Sequence, residues 1–145
     1  MKIALASDHG GFSLKKHIKE YLVSKGYEIL DFGTDNEESC DYPDYAYQAA
    51  LSVSKKEAQY GIVICTTGIG VSIVANKVKG VRCALVTNVD DARLTRQHND
   101  TNCLALGRKN VSDELGVEIV NIWLNTSFDG GRHVRRVEKI MNIEE

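Results

Sequence analysis

Hydrophobic and polar positions along this chain change their period repeatedly. Short β-rich segments recur at Lys2 to Ser7, Glu28 to Phe32, Gly61 to Thr66, Val81 to Thr87 and Asn102 to Leu106. Most of the stretches between them carry apolar residues at helical spacing. Leu14, Ile18 and Leu22 share one face of a helix that Gly26 ends, and Tyr45, Ala49 and Val53 do the same further on. Val71 to Val78, Asp90 to Gln97 and Asp113 to Leu124 complete the set, and the single proline, Pro43, marks a helix start after Asp41-Tyr42. This alternation predicts a doubly wound α/β domain: a parallel sheet of about five strands, helices on both faces, and right-handed crossovers. After Asn125 the chain passes through Phe128-Asp129-Gly130-Gly131 into a basic-then-apolar helix, Arg132 to Ile143, with no strand to follow it. Such a helix is expected to pack on a partner subunit.

The length, 145 residues at 43% hydrophobic and 26% charged, suits one domain over residues 1–145 with one substantial core. A net charge of −2 supplies no global basic field, which argues against duplex nucleic acid or an acidic membrane surface as partner. The N-terminal Met1 to Ala6 turns polar at Ser7-Asp8-His9 too early for a signal peptide, and no apolar run reaches membrane-spanning length, so a cytoplasmic protein is expected. Cys40, Cys65, Cys83 and Cys103 lie far apart with no C-x-x-C pair, so neither a zinc site nor a disulfide framework is expected.

Ligands of open parallel sheets bind outside the C-terminal ends of the strands. The polar residues read there are Asp8-His9-Gly10-Gly11 after strand one and Cys65-Thr66-Thr67-Gly68-Ile69-Gly70-Val71-Ser72 after strand three. His98-Asn99-Asp100, after the helix that follows strand four, is grouped with them. Thr67 to Gly70 bends from strand into helix, so backbone N–H groups can face an anion. As a dinucleotide fingerprint the segment fails, because Ile73 stands where the third small residue belongs. A thiol at such a helix N-terminus has its thiolate stabilised, which makes Cys65 a candidate base beside a carbonyl. His98 can serve as acid or base near neutrality. Asp8 and His9 can bond hydroxyls or phosphate oxygens, or Asp8 can simply cap the helix beginning at Gly10 or Gly11. Arg132 and Arg136, one helical turn apart with His133 and Arg135 beside them, form a compact phosphate site.

Taken together, Ser7 to Gly11, Asp41-Tyr42-Pro43, Cys65 to Gly70 with Ala75-Asn76-Lys77, Arg96 to Asp100 and Gly130 to His133 resemble type B ribose-5-phosphate isomerase. The wider family includes galactose-6-phosphate and allose-6-phosphate isomerases. The resemblance implies a Rossmann-like or flavodoxin-like three-layer sandwich, and a homodimer or homotetramer with active sites at the subunit interface. It implies interconversion of ribose 5-phosphate and ribulose 5-phosphate, a pentose phosphate pathway step, without cofactor or metal. His98 would assist ring opening, Cys65 would move the C2 proton to C1 through a cis-enediolate, and Thr67 would shuttle the hydroxyl proton. Backbone N–H groups from Thr67 through Gly68, Ile69 and Gly70 to Val71, with Thr66 and Ser72 alongside, would hold the enediolate and substrate. Asp8, Tyr42 and Asn99 would hold the sugar, and His9, Arg132 and Arg136 the phosphate.

One branch of the family carries a glutamate where this chain has Val71 and no cysteine at the position of Cys65, so the base here falls on the thiol. Two departures stand out. Thr66 replaces the usual glycine beside the base, and Lys109 replaces a phosphate-binding arginine, for which Arg108 is a candidate substitute. The competing readings are an isomerase of allose or galactose 6-phosphate, and a flavodoxin-like binding or receiver module. The receiver reading lacks its acceptor aspartate after strand three.

Overall fold

The computed structural model describes residues 1–143. Five parallel strands, β1 (Lys2–Ser7), β2 (Glu28–Asp31), β3 (Tyr60–Cys65), β4 (Cys83–Leu85) and β5 (Cys103–Gly107), lie in the order β2-β1-β3-β5-β4. The helices are α1 (Phe12–Ser24), α2 (Tyr42–Ser54), α3 (Ile69–Asn76), α4 (Val89–Asn99), α5 (Asp113–Leu124) and α6 (Arg132–Met141). A 3₁₀ turn, His9–Gly11, precedes α1. The first four strands cross over through α1 to α4, and α1, α4 and α5 pack on one face while α2 and α3 pack on the other. The predicted doubly wound architecture is the observed one.

Alternation along the strands explains the unequal faces. Ile3, Leu5, Ile62, Ile64, Leu104 and Leu106 point toward α1, α4 and α5, where Trp123 fills the layer. Ala4, Ala6, Val63, Cys65, Cys103 and Ala105 point the other way, against Ala46, Ala49 and Ala50 of α2 and Val71 and Ala75 of α3. Small residues on both surfaces let α2 and α3 approach the sheet closely. That approach carries the α3 N-terminus onto the end of β3.

Boundaries move by small amounts, each for a physical reason. The fourth strand, expected over Val81 to Thr87, is only Cys83–Leu85, because β4 is an edge strand that pairs with β5 alone. The third helix starts at Ile69 rather than Val71, since Gly68, at φ 78°, turns the chain directly into it. The last helix ends at Met141. It contacts α4 of its own chain and buries none of its residues. No helix among the described residues is long and apolar enough to cross a membrane.

Lys15 is a buried cation on α1. Its ammonium donates to Asp31 Oδ1 at 2.6 Å and to the Thr34 carbonyl at 2.7 Å, and Lys19 donates to Asp31 Oδ2 at 3.0 Å. Ser7 and Thr34 also exchange backbone bonds with the β1 and β2 exits, Ser7 N–H to the Gly33 carbonyl and Thr34 N–H to the Ser7 carbonyl, both at 2.7 Å. The start of the β2–α2 loop is thereby tied down beside the end of β1. Burial pushes the Asp31 carboxyl up, but Lys15, the Gly33 N–H and Lys19 outweigh it and hold the group below its ordinary value.

A carboxylate with a lowered native pKa stabilises the fold above the unfolded-state value of about 4 and loses that contribution as pH falls through the native one. Asp31→Asn is therefore expected to be less stable than the wild type at pH 7, with the gap closing by about pH 3, as read from urea midpoints at both pH values. Lys15→Met leaves the buried Thr34 carbonyl without its ammonium donor and is expected to cost about 1–3 kcal/mol at pH 7.

Candidate active site

The helices after β1 and β3 leave to opposite faces, so a crevice opens between the C-terminal ends of these neighbouring strands. Asp8 forms one lip. Its backbone N–H bonds the Ile64 carbonyl at 3.3 Å, and its Oδ1 accepts from the Gly11 N–H at 3.0 Å, the capping role allowed by the sequence. Gly11 presses on β3 so tightly that a Cβ there would stand 2.7 Å from the Ile64 carbonyl oxygen. His9 is exposed, and its Nδ1 accepts the Cys40 N–H at 3.2 Å. The neutral ring then carries its proton on Nε2.

Cys65 forms the opposite lip, 5% exposed at the last position of β3. The Gly68 N–H donates to its Sγ at 3.1 Å, so the turn into α3 wraps the sulfur. Thr67 Oγ1 accepts the Ile69 N–H at 3.2 Å, while the N–H groups of Gly70 and Val71 belong to the first turn, where helical geometry offers no carbonyl. These two donors face the crevice with the positive end of the helix dipole behind them. Val71 contributes only its backbone, because its side chain is fully buried. Ser72 donates its hydroxyl proton to the Ile69 carbonyl at 2.7 Å. Tyr42, at the start of α2, lies flat against Gly70, where a Cβ would stand 2.5 Å from the ring.

The loop after β5 closes the third side. Arg108 N–H bonds the Cys65 carbonyl at 3.0 Å and Lys109 N–H the Thr66 carbonyl at 2.8 Å. Gly107 cannot be larger, since a Cβ would stand 2.3 Å from the Thr67 carbonyl oxygen. The Arg108 guanidinium is engaged by Asp113 at the start of α5. Lys109 is exposed, and its ammonium pairs with no carboxylate among the described residues.

The remaining predicted residues are elsewhere. A crossover helix runs antiparallel to its strands, so α4 returns the chain to the N-terminal edge of the sheet. Arg82, just before β4, donates to the carbonyls of Asn99 and Asp100, and the Asn102 N–H bonds the Arg82 carbonyl beside the start of β5. Asp129 N–H bonds the Gln97 carbonyl, which brings the α6 N-terminus to the same edge. His98, Asn99, Arg132 and Arg136 thus sit at the far end of the strands from Cys65. The four residue steps from Gly61 to Cys65 alone span about 13 Å. Grouping His98-Asn99-Asp100 with the strand C-terminal ends was a misreading, corrected by the direction of α4.

At that edge the His98 and His133 rings stack, with centroids 4.4 Å apart and planes at 15°. Partial shielding, His98, Arg132 and Arg136 hold the His133 imidazole below its ordinary value, and Asp129 opposes them. His98, Asp129 and His133 are the group among the described residues whose ligand atoms, all within 4.8 Å of one another, could hold a metal ion. Cationic neighbours Arg132 and Arg136 weigh against a cation and favour an anion there. Cys40 and Asp113, which orient His9 and Arg108, were invisible to sequence reasoning. No local pattern links Cys40 to a residue 31 positions away.

A family model described as Ribose/Galactose Isomerase matches residues 3–140. The putative sugar phosphate isomerase YwlF of Bacillus subtilis is 51% identical over all of this chain and 98% of its own length. Ribose-5-phosphate isomerase B of Escherichia coli is 49% identical over 99% of this chain and 97% of its own. Among solved structures, ribose-5-phosphate isomerase B of Clostridium thermocellum superposes with a TM-score of 0.97 at 52% identity, covering 99% and 97% of the two chains. The Mycoplasma genitalium enzyme, solved with bound ribulose-5-phosphate, gives 0.95 at 44% identity, covering 99% and 95%. With the family model spanning nearly the whole chain and close relatives aligned end to end, this chain belongs to the ribose/galactose isomerase family.

Proposed function

We propose that this protein interconverts ribose 5-phosphate and ribulose 5-phosphate by proton transfer through a cis-enediolate, in the cytoplasm and without a metal. The observation that carries the reading is the Cys65 sulfur at the mouth of the crevice, held by the Gly68 N–H at 3.1 Å beside the N–H groups of Gly70 and Val71, which have no partner among the described residues. A base and an anion hole on one turn are what proton abstraction next to a carbonyl needs. Cys65 takes the C2 proton and returns it at C1, the Gly70 and Val71 N–H groups stabilise the enediolate oxygen, Thr67 relays the hydroxyl proton, and Asp8 and Tyr42 hold the sugar. The related Mycoplasma genitalium enzyme, crystallised with ribulose-5-phosphate, supports this choice of substrate.

The ring-opening acid His98, together with Asn99, Arg132 and Arg136, comes from a second copy. Two observations support the homodimer, from which a tetramer can be built. The chemistry needed at one centre is divided between opposite edges of one sheet. The apolar residues Ile69 and Ile73 of α3 are more than half exposed, and Val134 and Ile140 of α6 stand exposed as well. In a dimer built on these two features, a two-fold axis would bring the Cys65 edge of each copy to the His98 edge of the other, making two equal sites.

Turnover of ribose 5-phosphate in deuterium oxide is expected to place solvent deuterium at C1 or C2, with Cys65→Ala slowed on the order of a hundredfold or more. Full activity of Cys65→Ala would remove the thiol from the mechanism. Specific activity is also expected to fall on dilution as dimers dissociate, in step with the loss of the dimer in sedimentation measurements. Specific activity that holds constant in fully monomeric protein would refute the shared site.

A further inference from the structure

Thr66 directly follows Cys65 at the crevice, and its surroundings give its side chain a consequence. Its carbonyl accepts from the Lys109 N–H at 2.8 Å, and Cys65 precedes it in the chain. Its side chain lies over the 3₁₀ turn after β1. Thr66 Oγ1 is only 2.2 Å, and its Cβ 3.4 Å, from the point where a Cβ on Gly10 would stand, and Asp8 Oδ1 is 3.4 Å from the same point. The hydroxyl therefore occupies the place that any side chain at position 10 would need. Among the described residues the Thr66 hydroxyl has no hydrogen-bond partner, and the residue is exposed at the crevice.

Thr66 is thus bounded by the base Cys65, by the turn of Asp8 and His9, and by Lys109. On the isomerase reading, Cys65 handles C1 and C2, while His9 and Lys109 lie toward the phosphate. Residue 66 stands between Cys65 and the side of the crevice formed by His9 and Lys109. A glycine there leaves the crevice floor open, whereas a threonine raises it by a β-branched side chain whose rotamers are few and whose position the turn below fixes.

We infer that Thr66, seated on Gly10, is a specificity-determining residue that fits the crevice to five-carbon phosphosugars and excludes the longer chain of aldohexose 6-phosphates, its free hydroxyl bonding a substrate hydroxyl. In this chain a side chain at position 10 would be opposed by this contact and not by the backbone of Gly10, whose φ is not in the positive range. The inference rests on the proposed isomerase activity and deepens it.

The test is kcat/KM for ribose 5-phosphate and for allose 6-phosphate in the wild type, Thr66→Ala, Thr66→Gly, Gly10→Ala and the double variant Gly10→Ala/Thr66→Gly. The ratio of allose 6-phosphate to ribose 5-phosphate efficiency is expected to rise about tenfold or more in Thr66→Gly and by less in Thr66→Ala, as for one added or removed carbon-sized group in a pocket. Gly10→Ala is expected to lose ribose 5-phosphate activity, and the double variant to regain most of it. An unchanged ratio in active Thr66→Gly and Thr66→Ala would overturn the inference while leaving the isomerase reading intact. Failure of Thr66→Gly to rescue Gly10→Ala would overturn the seating on Gly10. Absence of ribose 5-phosphate turnover in the wild type would instead overturn the reading on which both depend.

Discussion

Parallel strands can be joined only by chains that travel back, and this constraint arranges everything else in the molecule. Each strand delivers its last residue to one edge of the sheet, and each crossover helix carries the chain to the opposite edge before the next strand begins. Asp8, Cys65 and Lys109 follow strands and collect at the C-terminal edge. His98 and Asn99 end a helix and lie at the N-terminal edge, where Asp129 and α6 join them. No side-chain adjustment spans the length of a strand. A reaction needing both groups needs two molecules, and the crevice and the arginine-bearing edge become halves of one proposed site.

At the C-terminal edge the second constraint is space. Four chain segments, following β1, β2, β3 and β5, meet closely here, and glycines stand where they touch: Gly11 on Ile64, Gly70 on Tyr42, Gly107 on Thr67. Only Gly68, at φ 78°, is required by its backbone conformation. The others are required by neighbours. Such close packing fixes the direction of the N–H groups of the α3 turn, and fixed direction is a condition for electrostatic stabilisation of a developing oxyanion. It also means that a β-branch added at Thr66 is felt at Gly10, across the crevice.

Much of this was legible in the sequence because it is local. Strand and helix periods, the capping by Asp8, the bend at Gly68 and the placement of Cys65 at a helix N-terminus all follow from residues a few positions apart. The short fourth strand was overestimated because pairing on one side only cannot be read from Val81 to Thr87 themselves. The grouping of His98 with the strand ends failed for a comparable reason: a motif shows its chemistry but not the edge to which its helix returns. The bond from Cys40 to His9, the capture of Arg108 by Asp113 and the stack of His133 on His98 join residues distant in sequence, so no spacing announces them.

The central claim is that one catalytic centre takes Cys65 from one copy and His98 from another. Complementation tests it directly. Cys65→Ala and His98→Ala, each nearly inactive alone, are unfolded together and refolded as a mixture. By the two-fold rule half of the dimers are mixed, and each mixed dimer holds one site with both groups and one with neither, so activity should return to about a quarter of wild type. Mixtures no more active than the two variants assayed separately, with mixed dimers shown to be present, would contradict the account.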